Sequence, residues 1–445
     1  MRPRHSLLLA LVALCLAPLA VRTAAQEAPP ARVRALHCGT LLAVPGKPPL
    51  REHTVVVRGA RVEAVLPGYL PPERVAPGEP VEVIDLRGSF VLPGLIDCHV
   101  HLTHAYSARS RLDRVELSDA DRAVLGVAHA RRTLLAGFTT VRDLGATGDS
   151  IFALRDGVAR GLIEGPRILA AGEAITPTGG HADETHGYRE DLFAVPGPMQ
   201  GIGDGPAGCR QAVRAQVKRG ADVIKVTATG GVLSATAAGT DAQFFPDELQ
   251  AIVETARLLG RKVAAHAHGT NGIKAALRAG VDSIEHGSFL DDEAIALFRE
   301  RRAYLVPTLS AGRAVTEWAG RPGFLPPPVA EKARQVGPTI QGALARAWKG
   351  GVLIAFGTDA GVGPHGDNPR ELSLLVEAGM PPAQALVSAT VNAAALLGLE
   401  RELGTIEPGK AADVIAAAGD PLADVAALAT PTFVMRAGVV HAQAR

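Results

Sequence analysis

The stretch that decides the fold is Phe90-Val91-Leu92-Pro93-Gly94-Leu95-Ile96-Asp97-Cys98-His99-Val100-His101. It begins as an apolar run typical of a buried strand and ends in two histidines spaced i, i+2. Side chains alternate across a strand, so His99 and His101 point the same way and can bind one cation from one face. The pair alone is weak evidence, because neighbouring histidines are also common as ordinary core or surface residues. Its interpretation depends on the rest of the chain.

Further apolar runs follow this strand and alternate with Ala/Leu/Arg-rich helical stretches up to about residue 399. The runs cover residues 139–144, 167–171, 223–227, 263–268, 283–286, 304–309 and 353–358. With the strand that ends at His101, the pattern predicts eight strands alternating with helices. This α/β pattern over about 300 residues favours a (β/α)8 TIM barrel, whose usual size is about 250 residues or more.

Both ends of the chain have the texture of short strands separated by turns. The candidate strands are residues 33–44, 53–65 and 81–86 near the start, and 413–417, 433–436 and 439–441 near the end. Strand-rich pieces on either side of a barrel are expected to pair with each other. The predicted domains are a first β-sandwich part at 31–90, the barrel at 91–399 and a second β-sandwich part at 400–445, which together form one small discontinuous β-sandwich domain.

The first residues have the layout of a secretory signal peptide. Arg2 and Arg4 precede an apolar stretch over residues 7–20, and small residues follow at 23–25. We predict a signal peptide at 1–25 and export to the periplasm or the medium, with an uncleaved membrane anchor as the alternative. The formal net charge of +1 gives no reason to expect nucleic acid or an anionic membrane as a partner. The scattered Cys38, Cys98 and Cys209 do not suggest a disulfide framework.

Active sites of such barrels lie at the carboxyl ends of the strands. The run at 223–227 carries Lys225 in apolar surroundings, where an unpaired ammonium would be costly to desolvate. A buried ion pair, a Schiff-base lysine and a carbamate formed with carbon dioxide are the three explanations. Composition alone favours the ion pair.

Other runs end in potential metal ligands. His266 and His268 end one run, His286 ends the next, and Asp359 follows the last. A single buried histidine is more often a satisfied core residue, but packing does not readily explain so many at strand ends. The pattern therefore indicates a metal site.

At this point the sequence resembles the amidohydrolase superfamily. The resemblance covers most of the chain, from the Leu-Pro-Gly-Leu-Ile-Asp-Cys-His-Val-His entry through Gly-Thr-Asp-Ala at 357–360 to the segment 404–413. Within the superfamily it is most similar to the binuclear prolidase-like group, which cleaves dipeptides and N-acyl amino acids and includes relatives that open the amide of ochratoxin. The phrases that suggest this group lie at 139–145, 225–231, 266–269 and 283–287.

The resemblance implies a pair of divalent metals. His99, His101 and Asp359 would hold the more buried ion, His266 and His286 the more exposed one, and Lys225, as its N6-carboxylated form, would bridge both. Zinc is the expected metal for such a donor set, although other divalent ions could substitute. His268 lies on the same face as His266 and is the alternative ligand.

The resemblance also implies a mechanism, in which a metal-bridging hydroxide attacks the scissile amide of a dipeptide or N-acyl amino acid. Asp359 would accept a proton and pass it to the leaving nitrogen. His181, in a Gly-rich loop, could donate to the oxyanion or to a substrate carboxylate, or be only a loop histidine. His104, Tyr106, His365 and Asp143 are further candidates without an assigned role.

Several features stay open at this stage. Stretches 188–208 and 232–245 are expected to shape specificity, and a homo-oligomer is possible because relatives are commonly oligomeric. The alternative activities are a cyclic-amide hydrolase of the imidazolonepropionase type or a deaminase on the same barrel. The mononuclear members of those groups generally lack a bridging lysine, so Lys225 argues against them. A catalytically inactive metal-binding protein is the remaining alternative.

Overall fold

Strands and helices alternate along most of the protein. The computed structural model describes residues 32–234, 236 and 239–443, and the predicted signal peptide at 1–25 lies outside them. The strands are β1 Val33–Leu41, β2 Leu50–Arg58, β3 Arg61–Pro67, β4 Val81–Pro93, β5 Leu95–Val100, β6 Phe138–Asp143, β7 Arg167–Ala170, β8 Val223–Thr227, β9 Lys262–Ala267, β10 Ser283–His286, β11 Tyr304–Val306, β12 Leu353–Ile354, β13 Val414–Ala417, β14 Phe433–Arg436 and β15 Val439–Gln443.

Helices connect the strands of the central region. They are α1 Pro72–Val75, α2 Ser110–Glu116, α3 Asp119–Leu135, α4 Ser150–Ala159, α5 Gly205–Arg219, α6 Pro246–Leu258, α7 Thr270–Ala279, α8 Asp292–Arg301, α9 Leu309–Ala319, α10 Pro327–Lys349, α11 Arg370–Glu377, α12 Pro382–Val387 and α13 Ala393–Leu397. The described residues also form a π-helix at Ser388–Asn392 and short 3-10 helices at Glu190–Leu192, Pro198–Gln200 and Val425–Leu428. Among the described residues no helix combines the length and apolarity that a bilayer crossing requires.

The central strands are parallel and form two sheets. One has the order β12-β11-β10-β9-β8, and the other the order β5-β6-β7. Every residue of β5, β6, β8 and β10 is buried, as expected for parallel strands covered by helices. Ile175, after β7, donates its N–H to Lys225 O of β8 at 2.8 Å, and Cys98 of β5 donates to Phe356 O beyond β12 at 2.9 Å. Backbone hydrogen bonds therefore connect the two sheets on both sides.

The last two of these strands are shorter than the sequence predicts. β11 ends at Val306 and β12 at Ile354, although the apolar runs extend to residues 309 and 358. Thr308 has a left-handed backbone with φ of 52°, which turns the chain out of the strand and into α9. The Glu371 carboxylate accepts hydrogen bonds from the N–H groups of Leu309 and Ser310, both at 2.7 Å, and so satisfies the start of that helix.

Strands from both ends of the described chain form a third sheet, with the order β15-β14-β13-β4-β1-β2-β3. β13, from near the carboxyl end, pairs antiparallel with β4, from near the amino end. The run at 53–65, expected as one strand, is the β2–β3 hairpin that turns at Gly59 and Ala60. Where the sequence predicted a sandwich, the seven strands form one hydrogen-bonded sheet, and its apolar side chains enclose a cluster of their own.

A single glycine separates the terminal sheet from the strand that carries the histidine pair. Gly94 lies between β4 and β5, and its N–H donates to Asp413 O at 2.9 Å. A Cβ at this position would lie 2.2 Å from Thr139 Oγ1 of β6, which only a glycine avoids. The terminal sheet therefore continues directly into β5 and sets the position of His99 and His101.

Candidate metal centre

A cavity of about 910 Å³ opens at the carboxyl ends of the parallel strands. Parallel strands bring their carboxyl ends to one edge, and loops and helices close the space above it. All of the predicted metal ligands line this cavity: His99, His101, Lys225, His266, His286 and Asp359. His181, His268, His104 and Tyr106 also line it. The structure thus brings together residues spread over more than half of the sequence.

The first histidine of the pair is fixed by a buried ion-pair network. His99 Nδ1 lies 2.9 Å from Glu285 Oε2, and Arg142 Nη2 donates to Glu285 Oε1 at 2.9 Å. A carboxylate can only accept, so the His99 proton is on Nδ1 and the lone pair of Nε2 is free to face the cavity. Burial raises the pKa of Glu285, but the neighbouring Arg142 and His99 outweigh it and lower the value to about 2.

The second histidine is held in the same tautomer. His101 Nδ1 lies 2.8 Å from Gly145 O, a carbonyl that can only accept, so Nε2 again has a free lone pair. Nε2 of His101 lies 3.1 Å from Asp359 Oδ1, and Nε2 of His99 lies 3.6 Å from the same oxygen. Three electron-pair donors therefore converge, and the buried Oδ1 makes no hydrogen bond among the described residues. A divalent cation fits this point, because two imidazole nitrogens and a carboxylate oxygen are ligands of the kind that zinc takes.

Lys225 has no carboxylate partner in the part of the chain that the structure describes. Its Nζ lies 3.5 Å from His99 Nε2, and no acidic oxygen lies within 4.0 Å. Composition favoured an ion pair at this residue, and the geometry does not provide one. Burial lowers the pKa of Lys225 to about 8, which makes its neutral amine more accessible.

The remaining histidines form one cluster at the ends of β9 and β10. His286 Nε2 lies 2.9 Å from His266 Nδ1, and the rings of His268 and His286 stack at 4.8 Å. His286 Nδ1 contacts Thr308 Oγ1 at 2.7 Å, and His268 Nδ1 contacts Ser288 Oγ at 2.7 Å. Burial lowers the pKa of His266 and His286 well below the ordinary value, which keeps both imidazoles neutral as metal ligands must be.

Among the described residues, two groups of side chains are close enough to hold a metal ion. One consists of His266, His268 and His286, and the other of His99, His286 and Asp359, with all candidate ligand atoms of a group within 4.8 Å of one another. His286 belongs to both groups, so the two positions are adjacent. The first group includes His268, which the sequence analysis names as the alternative ligand to His266. Imidazole nitrogens and a carboxylate are the donors that zinc and related divalent ions prefer, so the residues fit a metal centre.

Backbone strain accompanies two of these residues. His286 has φ of 71° and Asp359 has φ of 59°, both in the left-handed region that residues other than glycine seldom adopt. Asp359 N donates to His99 O at 2.7 Å, which ties the strained residue to the first histidine. Strain of this kind persists where the surroundings fix it and is common at functional sites.

His181 stands above the cluster rather than in it. Its ring centroid lies 4.3 Å from that of His266, and its Nδ1 contacts Ser234 Oγ at 2.8 Å. Ser234 belongs to the loop after β8, and Lys332 of α10 donates to Gly231 O of this loop at 2.7 Å and to Ser234 O. Helix α10 therefore supports the loop that orients His181.

The other sequence candidates lie in different surroundings. His104 and Tyr106 line the cavity, and Tyr106 stacks on Trp318 at a centroid distance of 4.8 Å. The Asp143 carboxylate binds only backbone groups in the described chain, because it accepts hydrogen bonds from Leu102 N at 2.6 Å and from Gly145 N at 3.2 Å. His365 faces away from the centre, with Nε2 2.8 Å from His104 O and its ring stacked on His129.

The sequence interpretation did not identify the residues that hold the ligands in place. Asp97 accepts hydrogen bonds from His99 N at 3.0 Å, from the Thr358 hydroxyl at 2.7 Å and from Asn368 Nδ2 at 2.8 Å. It thereby joins the first histidine to the residue before Asp359. One signal was available: Asp97, Arg142 and Glu285 are charged residues inside otherwise apolar runs, as Lys225 is.

Comparison with known proteins agrees with this geometry. The amidohydrolase family signature matches residues 90–441. Ochratoxinase from Aspergillus niger is 35% identical over 376 residues, which cover 78% of this chain and 74% of the relative.

Solved structures give the same relationship. A Xaa-Pro dipeptidase crystallised with methionine in its active site has a TM-score of 0.88 and 42% identity, covering 92% of this chain and all of the other. A prolidase complexed with N-methylphosphonate-L-proline has a TM-score of 0.83 and 32% identity, with 92% of this chain and 100% of the other covered.

Proposed function

Because the chain belongs to the amidohydrolase family and is a hydrolase of carbon–nitrogen bonds, we propose that it cleaves the amide bond of dipeptides or N-acyl amino acids. The observation that carries this proposal is the convergence of imidazole, carboxylate and lysine side chains on the floor of one cavity. The relatives named for prolidase and ochratoxinase activity both act on such bonds, which supports this substrate class.

The proposed metal ligands are those that the sequence analysis names. His99, His101 and Asp359 would hold one ion, His266 and His286 would hold the other, and Lys225, as a carbamate, would be a ligand of both. When bound, zinc or a similar ion polarises the scissile carbonyl and lowers the pKa of water. Support comes from the two Nδ1-protonated imidazoles, the unbonded Asp359 oxygen and the unpaired lysine.

Two side chains then move or hold protons. With Oδ1 facing the metal position, Asp359 would accept a proton from the attacking water at Oδ2 and pass it to the leaving nitrogen, which must be protonated to depart. His181 donates from Nε2 to the developing oxyanion while the Ser234 hydroxyl donates to its Nδ1, at the 2.8 Å separation observed. This tautomer requires Ser234 to give up its weaker 3.3 Å contact with Gly231 O.

The proposal extends to architecture and location. We infer that the two parallel sheets are arcs of one (β/α)8 barrel at 91–399, which the cross-sheet hydrogen bonds of Cys98 and Ile175 support. The β-domain then consists of 31–90 and 400–445, and the leader at 1–25 exports the protein. A homo-oligomer is compatible with this proposal.

A hydrolysis screen tests the activity. Zinc-loaded mature protein is offered Xaa-Pro and other dipeptides, N-acyl amino acids including ochratoxin, and cyclic amides, each with and without a chelator. We expect chelator-sensitive release of a carboxyl-terminal amino acid. Activity confined to cyclic amides, or release of ammonia, would contradict the substrate class.

A lysine variant serves as the control for the metal arrangement. Lys225→Met keeps the length of the side chain but provides no bridging group. We expect at least about a 100-fold loss of kcat and a lower metal content. Removing a residue that only hydrogen-bonds a metal ligand already lowers metal affinity or activity about 10- to 100-fold, and Lys225 is proposed as a ligand itself. Unchanged metal content and activity would rule out the bridged pair.

A further inference from the structure

A buried guanidinium lines the same cavity without a counter-charge. Arg122 of α3 is only 6% exposed and belongs to the cavity wall. Its Nη2 donates to the carbonyl oxygen of Asp113 at 3.1 Å, whereas its Nε is fully buried and makes no hydrogen bond. Within the described ranges no carboxylate oxygen lies within 4.0 Å of it. No ligand can reach the buried Nε, but Nη1 is not fully buried and makes no hydrogen bond within the described ranges, so the guanidinium keeps a donor for a ligand in the cavity.

The other arginines near the cavity differ from Arg122 in pairing or in exposure. Buried Arg142 pairs with Glu285, and Arg114, on the wall, has its Nη1 3.4 Å from Glu184 Oε1. Arg111, also on the wall, is exposed to water and donates from Nη2 to Gly187 O at 2.9 Å. Burying a charged group without a partner is costly, so such groups are normally paired in the folded protein. Arg122 departs from this rule inside the substrate cavity, where a ligand can supply the missing charge.

The acidic residues of the wall are already engaged. Glu184 accepts from the Thr147 hydroxyl at 3.0 Å in addition to its pair with Arg114. Asp183 accepts from Gly179 N at 2.8 Å, and Glu173 accepts from Gly148 N at 2.9 Å. None of these carboxylates lies within 4.0 Å of Arg122, so its counter-charge can come from a ligand bound in the cavity.

We propose that Arg122 binds a carboxylate group of the substrate and thereby selects anionic amides. This inference rests on the proposed amide hydrolysis and adds the side chain that recognises the carboxylate of the substrate. A guanidinium presents parallel N–H groups that match the two oxygens of a carboxylate, and it stays charged at every physiological pH. The carboxylate has two possible positions, on the amino acid that leaves or on the acyl portion.

The apolar part of the cavity decides which probes to use. Tyr106, Trp318 and Phe324 form an aromatic cluster beside it, with centroid distances of 4.8 Å and 5.4 Å from Trp318 to the other two rings. Tyr106 and Phe324 line the cavity themselves. Probes with a benzyl side chain therefore suit this wall.

Three matched compounds test which carboxylate of the substrate Arg122 binds. N-acetyl-L-phenylalanine carries it on the amino acid, N-succinyl-L-phenylalaninamide carries it on the acyl portion, and N-acetyl-L-phenylalaninamide carries none. Kinetics and calorimetric binding are measured with metal-loaded wild type, Arg122→Met and the control Arg131→Met. Arg131 lies on the same helix but is exposed and pairs with Glu164 at 2.7 Å outside the cavity. Calorimetry needs no turnover, so binding is tested separately from the proposed reaction.

For Arg122→Met we expect roughly a 10- to 100-fold rise in KM and Kd for the compound whose carboxylate reaches Arg122. The neutral amide changes by less than about threefold, and Arg131→Met resembles wild type with all compounds. Equal changes for charged and neutral compounds, or no change for either acid, would overturn the inference. If wild type binds an acid selectively but cleaves none, the proposed function fails and this inference stands.

Thermal unfolding provides a second readout, which a purely structural arginine would move in the opposite direction. Without ligand, Arg122→Met is expected to melt at or above the wild-type temperature, because an unpaired buried charge has been removed. A large drop in Tm, or a failure of this variant to fold while Arg122→Lys folds with unchanged KM for the acids, would show that Arg122 is structural and overturn the inference.

Discussion

Glu285 binds one imidazole and one guanidinium at the same time, and the position of His99 depends on both contacts. Replacing it by glutamine keeps its shape but removes the charge that holds the proton on His99 Nδ1 and neutralises Arg142. We expect Glu285→Gln to lower metal affinity about 10- to 100-fold and to destabilise the fold by about 3 kcal/mol. Metal analysis after dialysis and urea unfolding measure the two effects.

The control for this variant is Glu63→Gln, which removes an exposed carboxylate from a surface pair with Arg58. Surface pairs contribute little, so neither metal affinity nor stability should change measurably. Wild-type metal content in Glu285→Gln would contradict the assigned role of Glu285.

At the level of residues, the sequence alone identifies side chains that stand at the same place in successive strands, namely at the carboxyl end. His99, His266, His286 and Asp359 can be proposed because each ends an apolar run, and the structure brings them to one cavity. Arg122 could not be found in this way. Arg122 stands out because no carboxylate of the described chain pairs with it, and only the fold shows which carboxylates lie near its guanidinium.

Among the secondary-structure elements, α10 acts on the site from a distance. Lys332 of this helix holds the loop whose Ser234 orients His181. We expect Lys332→Met to lower kcat about 3- to 10-fold, because charge-assisted hydrogen bonds to two carbonyl groups are lost. Steady-state kinetics and limited proteolysis of the loop at 231–242 follow the change.

Lys349→Met is the matched control, since Lys349 is the last residue of the same helix, whereas Lys332 lies in its first half. It should keep the wild-type kcat and proteolysis pattern. A Lys332 variant that loses thermal stability but keeps kcat would indicate that the contact only anchors the helix.

The elements also show where sequence patterns stop being informative. β8 and β10 have the predicted bounds because every residue in them is buried and apolar runs coincide with strands. β11 ends early because Thr308 turns the chain, and β2 and β3 separate because Gly59 and Ala60 form a hairpin. Hydrophobicity reports burial, whereas a turn within a buried run depends on backbone angles that tertiary contacts impose.

In the whole molecule, Asp413 connects the central strands to the terminal sheet. Its carboxylate accepts from Arg167 of β7 at 2.9 Å and from Ala437 N at 2.7 Å, and Asp413 is buried. We expect Asp413→Ala to destabilise the protein by about 2 to 3 kcal/mol, because a buried backbone donor and a guanidinium lose their partner. Urea unfolding measures this value.

Asp367→Ala provides the comparison, because that carboxylate is exposed and lies 3.7 Å from Arg370. Its effect should stay within about 0.5 kcal/mol. Equal effects of the two variants would mean that the connection between the sheets contributes nothing to stability. The sequence predicted that both chain ends pair, but not this contact, since the partners are 246 positions apart.

The pairing of β13 with β4 has a consequence for biosynthesis. Residues 90–93, immediately before the strand with the first two histidines, receive their hydrogen-bonding neighbour from residues 414–417. The ribosome makes that neighbour more than 300 residues later, so the nascent chain carries an open, apolar strand edge until then. A premature stop codon before residue 414 would therefore leave this edge exposed and yield a chain that aggregates instead of folding.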